Sequence, residues 1–124
     1  MDNKNIYKFS FEKLIAWQKS KDLVILIYKL INKIPGEEKF GIVSQMKRAV
    51  VSVSANIAEG NSKDTKKEKA RYITIAFGSL MELLNYVIII YELGYIDLDD
   101  HNNIKIQISE VAKILSGLRK KYCE

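Results

Sequence analysis

The chain is predicted to be all-α: an antiparallel, up-down-up-down four-helix bundle. Three observations carry this expectation. Apolar residues recur at steps of three and four through four long segments. One proline and 6 glycines among 124 residues are too few for the many turns of an all-β protein. The breaks between segments are short, so consecutive helices must run antiparallel.

The first helix is expected over about residues 11–34. Ser10 stands at its N-cap position, Leu14, Trp17, Val24, Tyr28 and Ile31 recur at helical spacing, and Pro35-Gly36 stops it. The second is expected over about 37–59. Glu37 and Glu38 fall in its first turn, where the helix dipole favours negative charge. Val43, Met46, Val50, Val53 and Ile57 form its apolar stripe, and Gly60 suits the left-handed position that ends many helices. The third is expected over about 65–93, opened by a Thr65 to Glu68 capping pattern, with Ile73, Ala76, Phe77, Leu80, Leu84 and Val87 on one face. The fourth is expected over about 97–121, capped by Asp97, with Ile104, Ile108, Val111, Leu115, Leu118 and Tyr122 alternating steps of four and three. Together they make one domain over residues 1–124.

An apolar fraction of 48% supports a core, and a charged fraction of 28% is ordinary for a soluble domain. The single cysteine, Cys123, excludes an internal disulfide framework and fits a reducing compartment. Residues 1–10 hold no apolar signal core, and the apolar runs Leu23 to Tyr28 and Val87 to Tyr91 fall short of the ~20 residues of a membrane span. The expectation is a cytoplasmic protein with no membrane partner.

Catalytic chemistry has no foothold. The one histidine, His101, lies in an acidic turn with no second histidine or cysteine nearby, and is better read as a solvated turn residue than as a metal ligand. Asp97, Asp99 and Asp100 lack the glycine and glutamate spacing of a calcium loop; helix capping accounts for them. No phosphate-binding glycine loop, nucleophile elbow or zinc-protease motif occurs. The expectation is a protein that is not an enzyme, with no catalytic residue, cofactor, metal site or small-molecule substrate.

Assembly and binding leave clearer marks. Leu23 to Tyr28 and Val87 to Tyr91 are apolar around more than a full turn, so some of these side chains must face away from the core, which points to self-association. Ser52 to Gly60 is crowded with small and polar residues that favour helices poorly, which calls for packing or assembly as the reason. Arg48, Ser52, Asn56 and Glu59 share a face; Arg71, Ile75, Gly78 and Glu82 share another. Gly78-Ser79 in mid-helix lets another helix come near, and the small face around Ala55 is a candidate for it. Lys47, Arg48, Lys66, Lys67 and Arg71 are the candidate phosphate contacts, supported by Lys63, Lys69 and the run Arg119-Lys120-Lys121. The alternative is a solvated basic face on a protein-interaction scaffold.

Five segments carry a family resemblance across about residues 11–118: Phe11 to Gln18, Gln45 to Ala49, Ser52 to Gly60, Ile75 to Leu80 with Glu82, and Leu93-Gly94-Tyr95. On these the chain resembles the four-helix-bundle proteins encoded by intervening sequences within bacterial 23S ribosomal RNA genes, a family similar in fold to the accessory proteins of diversity-generating retroelements. The resemblance implies a homopentamer of four-helix protomers and, more weakly, binding of RNA or DNA through basic surfaces. It also implies that Trp17, Ser52, Asn56, Glu59, Gly60, Gly78, Ser79 and Glu82 serve structure and assembly. Lys47-Arg48 stands where the family usually has two arginines, so the bidentate fork is lost at the first position. Val53 stands where the family often has proline, which implies a straighter second helix here.

Overall fold

The computed structural model describes residues 5–124, and among these it contains four long helices and no strand. They are α1 (Ile15–Leu30), α2 (Ile42–Asn61), α3 (Lys66–Glu92) and α4 (Leu98–Tyr122). Each packs on its neighbours in the chain, and α4 closes the ring by packing on α1.

Cross-helix contacts fix the directions. The end of α2 meets the segment before α1 through an Asn61 to Ser10 hydrogen bond of 2.7 Å. Ser52 faces Ser79 while Gly60 faces Tyr72, so α2 and α3 run oppositely. Tyr91 stacks on His101 across the α3–α4 turn. Lys19 reaches Glu110 and Lys33 reaches Asp100, so α1 and α4 also run oppositely. The result is up-down-up-down.

The stripes expected on α2 and, for the most part, on α3 and α4 reach the core, but the one expected on α1 does not: of Leu14, Trp17, Val24, Tyr28 and Ile31 only Ile31 is buried, and Tyr28 is exposed. The face of α1 that meets the core is Ala16, Ser20, Leu23, Ile27 and Leu30, because the continuous apolar run Leu23 to Tyr28 offers more than one face; on α3, Leu83 is buried in place of Leu84. Leu23 and Ile27 from α1, Met46, Val50, Val53 and Ile57 from α2, Leu80, Leu83, Val87 and Ile90 from α3, and Ile104, Ile108, Val111 and Leu115 from α4 are all buried. Each contributes roughly 1.5–3 kcal/mol by leaving water. Ser20 is the buried polar side chain, and its Oγ donates to the Trp17 carbonyl at 2.8 Å. By length and composition α3 could cross a membrane; here it lies between α2 and α4 with one face in the core.

The termini of the first two helices differ from expectation. Helix one is not continuous over 11–34. Ser10–Lys13 is a 3₁₀ turn, Leu14 is extended (ψ 128°), and the α-helix begins at Ile15. Ser10 is therefore not its cap; its hydroxyl accepts from Asn61 instead, while Phe11 packs edge-on against Trp17 at 5.0 Å. These contacts hold the entry segment off the helix axis. At the other end, Ile31–Lys33 tightens into a 3₁₀ turn before the extended Ile34 that precedes Pro35. Helix two does not begin at Glu37: Gly36–Glu38 is a separate 3₁₀ turn, and Gly41, with ψ −112°, breaks the path before Ile42.

Gly60 is a third correction. It is helical and buried inside α2, which continues to Asn61; the left-handed glycine is Gly94, at φ +79°, closing α3. What Gly60 supplies is space, since a Cβ there would stand 2.6 Å from Tyr72 Cβ. Helices α3 and α4 start as their caps indicate: Thr65 Oγ1 accepts from the Glu68 amide at 3.1 Å, and Asp97 Oδ1 from the Asp100 amide at 2.8 Å.

Two predictions follow from this geometry. Gly60→Ala gains helix propensity but collides with Tyr72, for a net loss of about 1–2 kcal/mol in urea unfolding, whereas Gly78→Ala, where a Cβ meets nothing within 4 Å, gains up to about 1 kcal/mol within the protomer. The second concerns alkaline pH. The Asp100 hydrogen bond, at 2.6 Å, raises the Lys33 pKa, and burial, then Glu38 and Glu37, raises that of Tyr95. Both groups keep their proton longer folded than unfolded, so this stabilisation is intact at neutral pH and fades as pH climbs through their raised values. Lys33→Met combined with Tyr95→Phe should lose less stability than the parent between about pH 9 and about pH 11.

Candidate nucleic-acid interface

Antiparallel packing gathers the start of α1, the end of α2, the start of α3 and the end of α4 at one end of the bundle. Lys69 Nζ donates to the Asn61 carbonyl at 2.9 Å and Asn61 donates to Ser10, which ties three of these segments together. The sequence assigns to this end Lys8 and Lys13, then Lys63, Lys66, Lys67, Lys69 and Arg71, then Arg119, Lys120 and Lys121. Against these ten stand five acids, Glu12, Glu59, Asp64, Glu68 and Glu124, a surplus of five that equals the chain's whole net charge of +5. The rest of the molecule is balanced, and its far end carries Glu37, Glu38, Glu92, Asp97, Asp99 and Asp100.

Lys66 and Lys67 are exposed in the first turn of α3. A helix N-terminus is electropositive, so cations there work against the fold; only Glu68 in that turn has the favourable sign. By contrast α4 obeys the rule at both ends, with Asp99 and Asp100 first and Arg119, Lys120 and Lys121 last. Arg71 is exposed, 3.7 Å from Glu68 and 5.6 Å from the Tyr72 ring, with Lys63 also over that ring at 5.0 Å.

Lys47 and Arg48 are not part of this end. Arg48 lies roughly 20 Å from the end of α2 at about 1.5 Å per residue. The two are also about 100° apart around the helix. Lys47 is half-buried on the α1 side with Nζ 5.3 Å from the Tyr28 ring, while Arg48 is exposed. Adjacency in sequence does not make them one patch.

Ser52 and Gly60 of α2 meet α3 of the same protomer, whereas Ala55 and Gly78 are both exposed, so the expected approach of the Ala55 face to Gly78 is not made within the protomer. Ser52 and Ser79 share a hydrogen bond of 2.8 Å, and Asn56 Nδ2 donates to the Ser52 carbonyl at 2.8 Å and its hydroxyl at 3.0 Å. Trp17 is half-buried between Phe11 and Lys21. Glu59, Gly78 and Glu82 are exposed, and among the described residues no ion pair engages Arg48, Glu59 or Glu82. Among the described residues there is also no cluster of three metal-ligating side chains.

Fold and surface together define a small four-helix bundle with a basic end. The chain belongs to the 23S rRNA-intervening sequence protein family, whose profile matches residues 12–117. It is similar to a crystal structure of a protein of unknown function from the S23 ribosomal protein family of Bacteroides thetaiotaomicron VPI-5482, at 22% identity and a TM-score of 0.80, covering 86% of this chain and 99% of that one. At that identity the likeness concerns the fold. No curated protein matches significantly.

The adverse placement of Lys66 and Lys67 has a measurable consequence. Lys66→Glu combined with Lys67→Glu should stabilise the protein by about 1 kcal/mol at low salt, seen as a melting temperature about 4 °C higher, with the gain shrinking as salt is added.

Proposed function

We propose that the protein is a non-enzymatic homo-oligomer that binds nucleic acid, RNA or DNA, through the basic end of its bundle. The observation that carries this reading is the pair of lysines in the first turn of α3, held where the helix dipole opposes them, within an end that holds the molecule's entire charge surplus. A solvated face gains nothing from that placement, whereas a phosphate-binding face gains two cations beside a ring of helix ends. In this reading Lys66, Lys67 and Arg71 contact phosphates, supported by Arg119, Lys120 and Lys121. Such contacts position a nucleic acid without reading its bases. Lys47 and Arg48 stand outside the contact zone.

Assembly is supported by apolar groups left outside the core on separate sides of the bundle. Ile25 and Tyr28 are 48% and 42% exposed on α1, and Ile75 and Ile89 are 41% and 38% exposed on α3. Unlike faces pair head-to-tail, and such contacts form a ring where the rotation closes; in this reading the ring is the pentamer that the family resemblance implies. The open space at Gly78 and the unpaired Arg48 and Glu82 suit the same α3-side contact. The same apolar faces are what favours the runner-up, a protein-interaction scaffold in the cytoplasm with no nucleic-acid role.

Fluorescence anisotropy with a labelled RNA separates the two. The expected result is an affinity that falls steeply with salt as counterions are released. It is lowered tenfold or more in the Lys66→Glu, Lys67→Glu variant, and Lys47→Ala stays within about twofold of the parent. Affinity indifferent to salt and to the α3 charges sinks the nucleic-acid reading in favour of the scaffold. Light scattering on the same sample should give a multiple of the 14.3 kDa protomer; a monomer overturns the assembly.

A further inference from the structure

We propose that the basic end selects unpaired nucleotides, whose bases stack on Tyr7 and Phe9; this rests on the nucleic-acid reading above and names the class of strand it takes. Tyr7 is 74% exposed and Phe9 61% exposed, so the segment leading into α1 presents two bare aromatic rings, with the exposed Ile6 beside them, on a basic end. Exposed aromatic pairs find no reason in the core, from which both are excluded.

Their mutual geometry leaves stacking surface free. The ring centroids are 4.9 Å apart with planes at 83°, an edge-to-face pair. In such a pair one ring keeps both faces open and the other keeps one. Among the described residues, cations sit over the rings of Trp17, Tyr28, Phe40 and Tyr72, and none over Tyr7 or Phe9. The rings are thus neither buried nor occupied.

The platform is held in place. The Phe9 amide donates to the Glu12 carboxylate at 2.7 Å, Ser10 accepts from Asn61 at 2.7 Å, and Phe11 locks against Trp17. Lys8 lies between the two rings in sequence, and Lys8 and Lys13 line a recess beside Tyr7. Aromatic faces flanked by lysines are the arrangement that holds single strands: bases stack on the rings while cations follow the backbone. A duplex hides its base faces in its own stack and offers such rings only its ends.

Three probes and two variants test this. The probes are a labelled single-stranded RNA of about 12 nucleotides, a blunt duplex of the same sequence, and phosphatidylglycerol vesicles. The variants are Tyr7→Ala with Phe9→Ala, and Tyr7→Phe with Phe9→Tyr as the conservative control; circular dichroism checks that both fold. The expected result is single-strand binding about tenfold or more tighter than duplex binding. The alanine variant loses that margin and leaves duplex affinity within about twofold, and the conservative variant keeps it. Equal affinity for both RNAs, or an alanine variant that still prefers the single strand, overturns this inference and leaves the nucleic-acid reading standing. Binding of neither RNA overturns both. Binding to vesicles in place of RNA, lost with the alanine pair, overturns it in favour of a lipid surface.

Discussion

Gly60 and Ser52 set how near α2 comes to α3, and much of the molecule follows from that approach. A side chain at Gly60 would stand inside van der Waals contact of Tyr72. Two turns back along α2, Ser52 and Ser79 are close enough to share a proton. A seam this tight admits only small groups, which is why serine and asparagine occupy a helix they do not intrinsically favour. It also aligns the two helices in register, so the four residues between them form a short turn and the lysines that follow are delivered to the end of the bundle beside Asn61 and Ser10.

The same up-down path sorts charge. Helices that alternate in direction bring unlike termini together, so the acids that cap α4 fall at one end and the cations that close α4 at the other. A helix dipole acts within the first and last turn of its own helix, so the side chains placed there either support or oppose it. At the acidic end the charges support the fold, through Asp97 at the α4 cap and Asp100 with Lys33. At the basic end Lys66 and Lys67 do the opposite, since cations in the first turn of a helix oppose its dipole.

Legibility in the sequence followed the locality of the signal. Helices α3 and α4 begin where a side chain caps the next amides, and Thr65 and Asp97 are visible as such to the eye. The start of α1 is shifted by side-chain contacts that spacing does not show: Ser10 pairs with Asn61 and Phe11 packs on Trp17. Gly41 alone could have warned that α2 begins late, since a glycine between an acidic turn and an apolar stripe is a natural break. The shared placement of Lys66, Lys67 and Arg71 was legible because all three fall in the first turns of one helix. Adjacency of Lys47 and Arg48 did not show that they point to different sides of α2, because neighbours on a helix diverge by about 100°. Tyr7 and Phe9 escaped notice because exposure, unlike periodicity, leaves no mark in a short segment.

Periodicity by itself determined the helical class and the core faces of α2 and α4, because burying an apolar face needs only that its residues recur every three or four positions; on α1, apolar around a full turn, it pointed to the wrong face. Composition by itself set the charge surplus and the absence of recognisable catalytic motifs. Tertiary structure decided the rest. It placed Ser52 and Gly60 of α2 against their own α3, gave Gly60 a steric role in place of a conformational one, and left Ala55 and Gly78 open. It brought Lys8, Lys13, Lys66, Lys67, Arg71 and Arg119 to Lys121, spread over most of the chain, to one end. The physical reason is that spacing along a helix fixes only direction around its axis, while the partner a face meets is settled by how four such helices fill one shared interior.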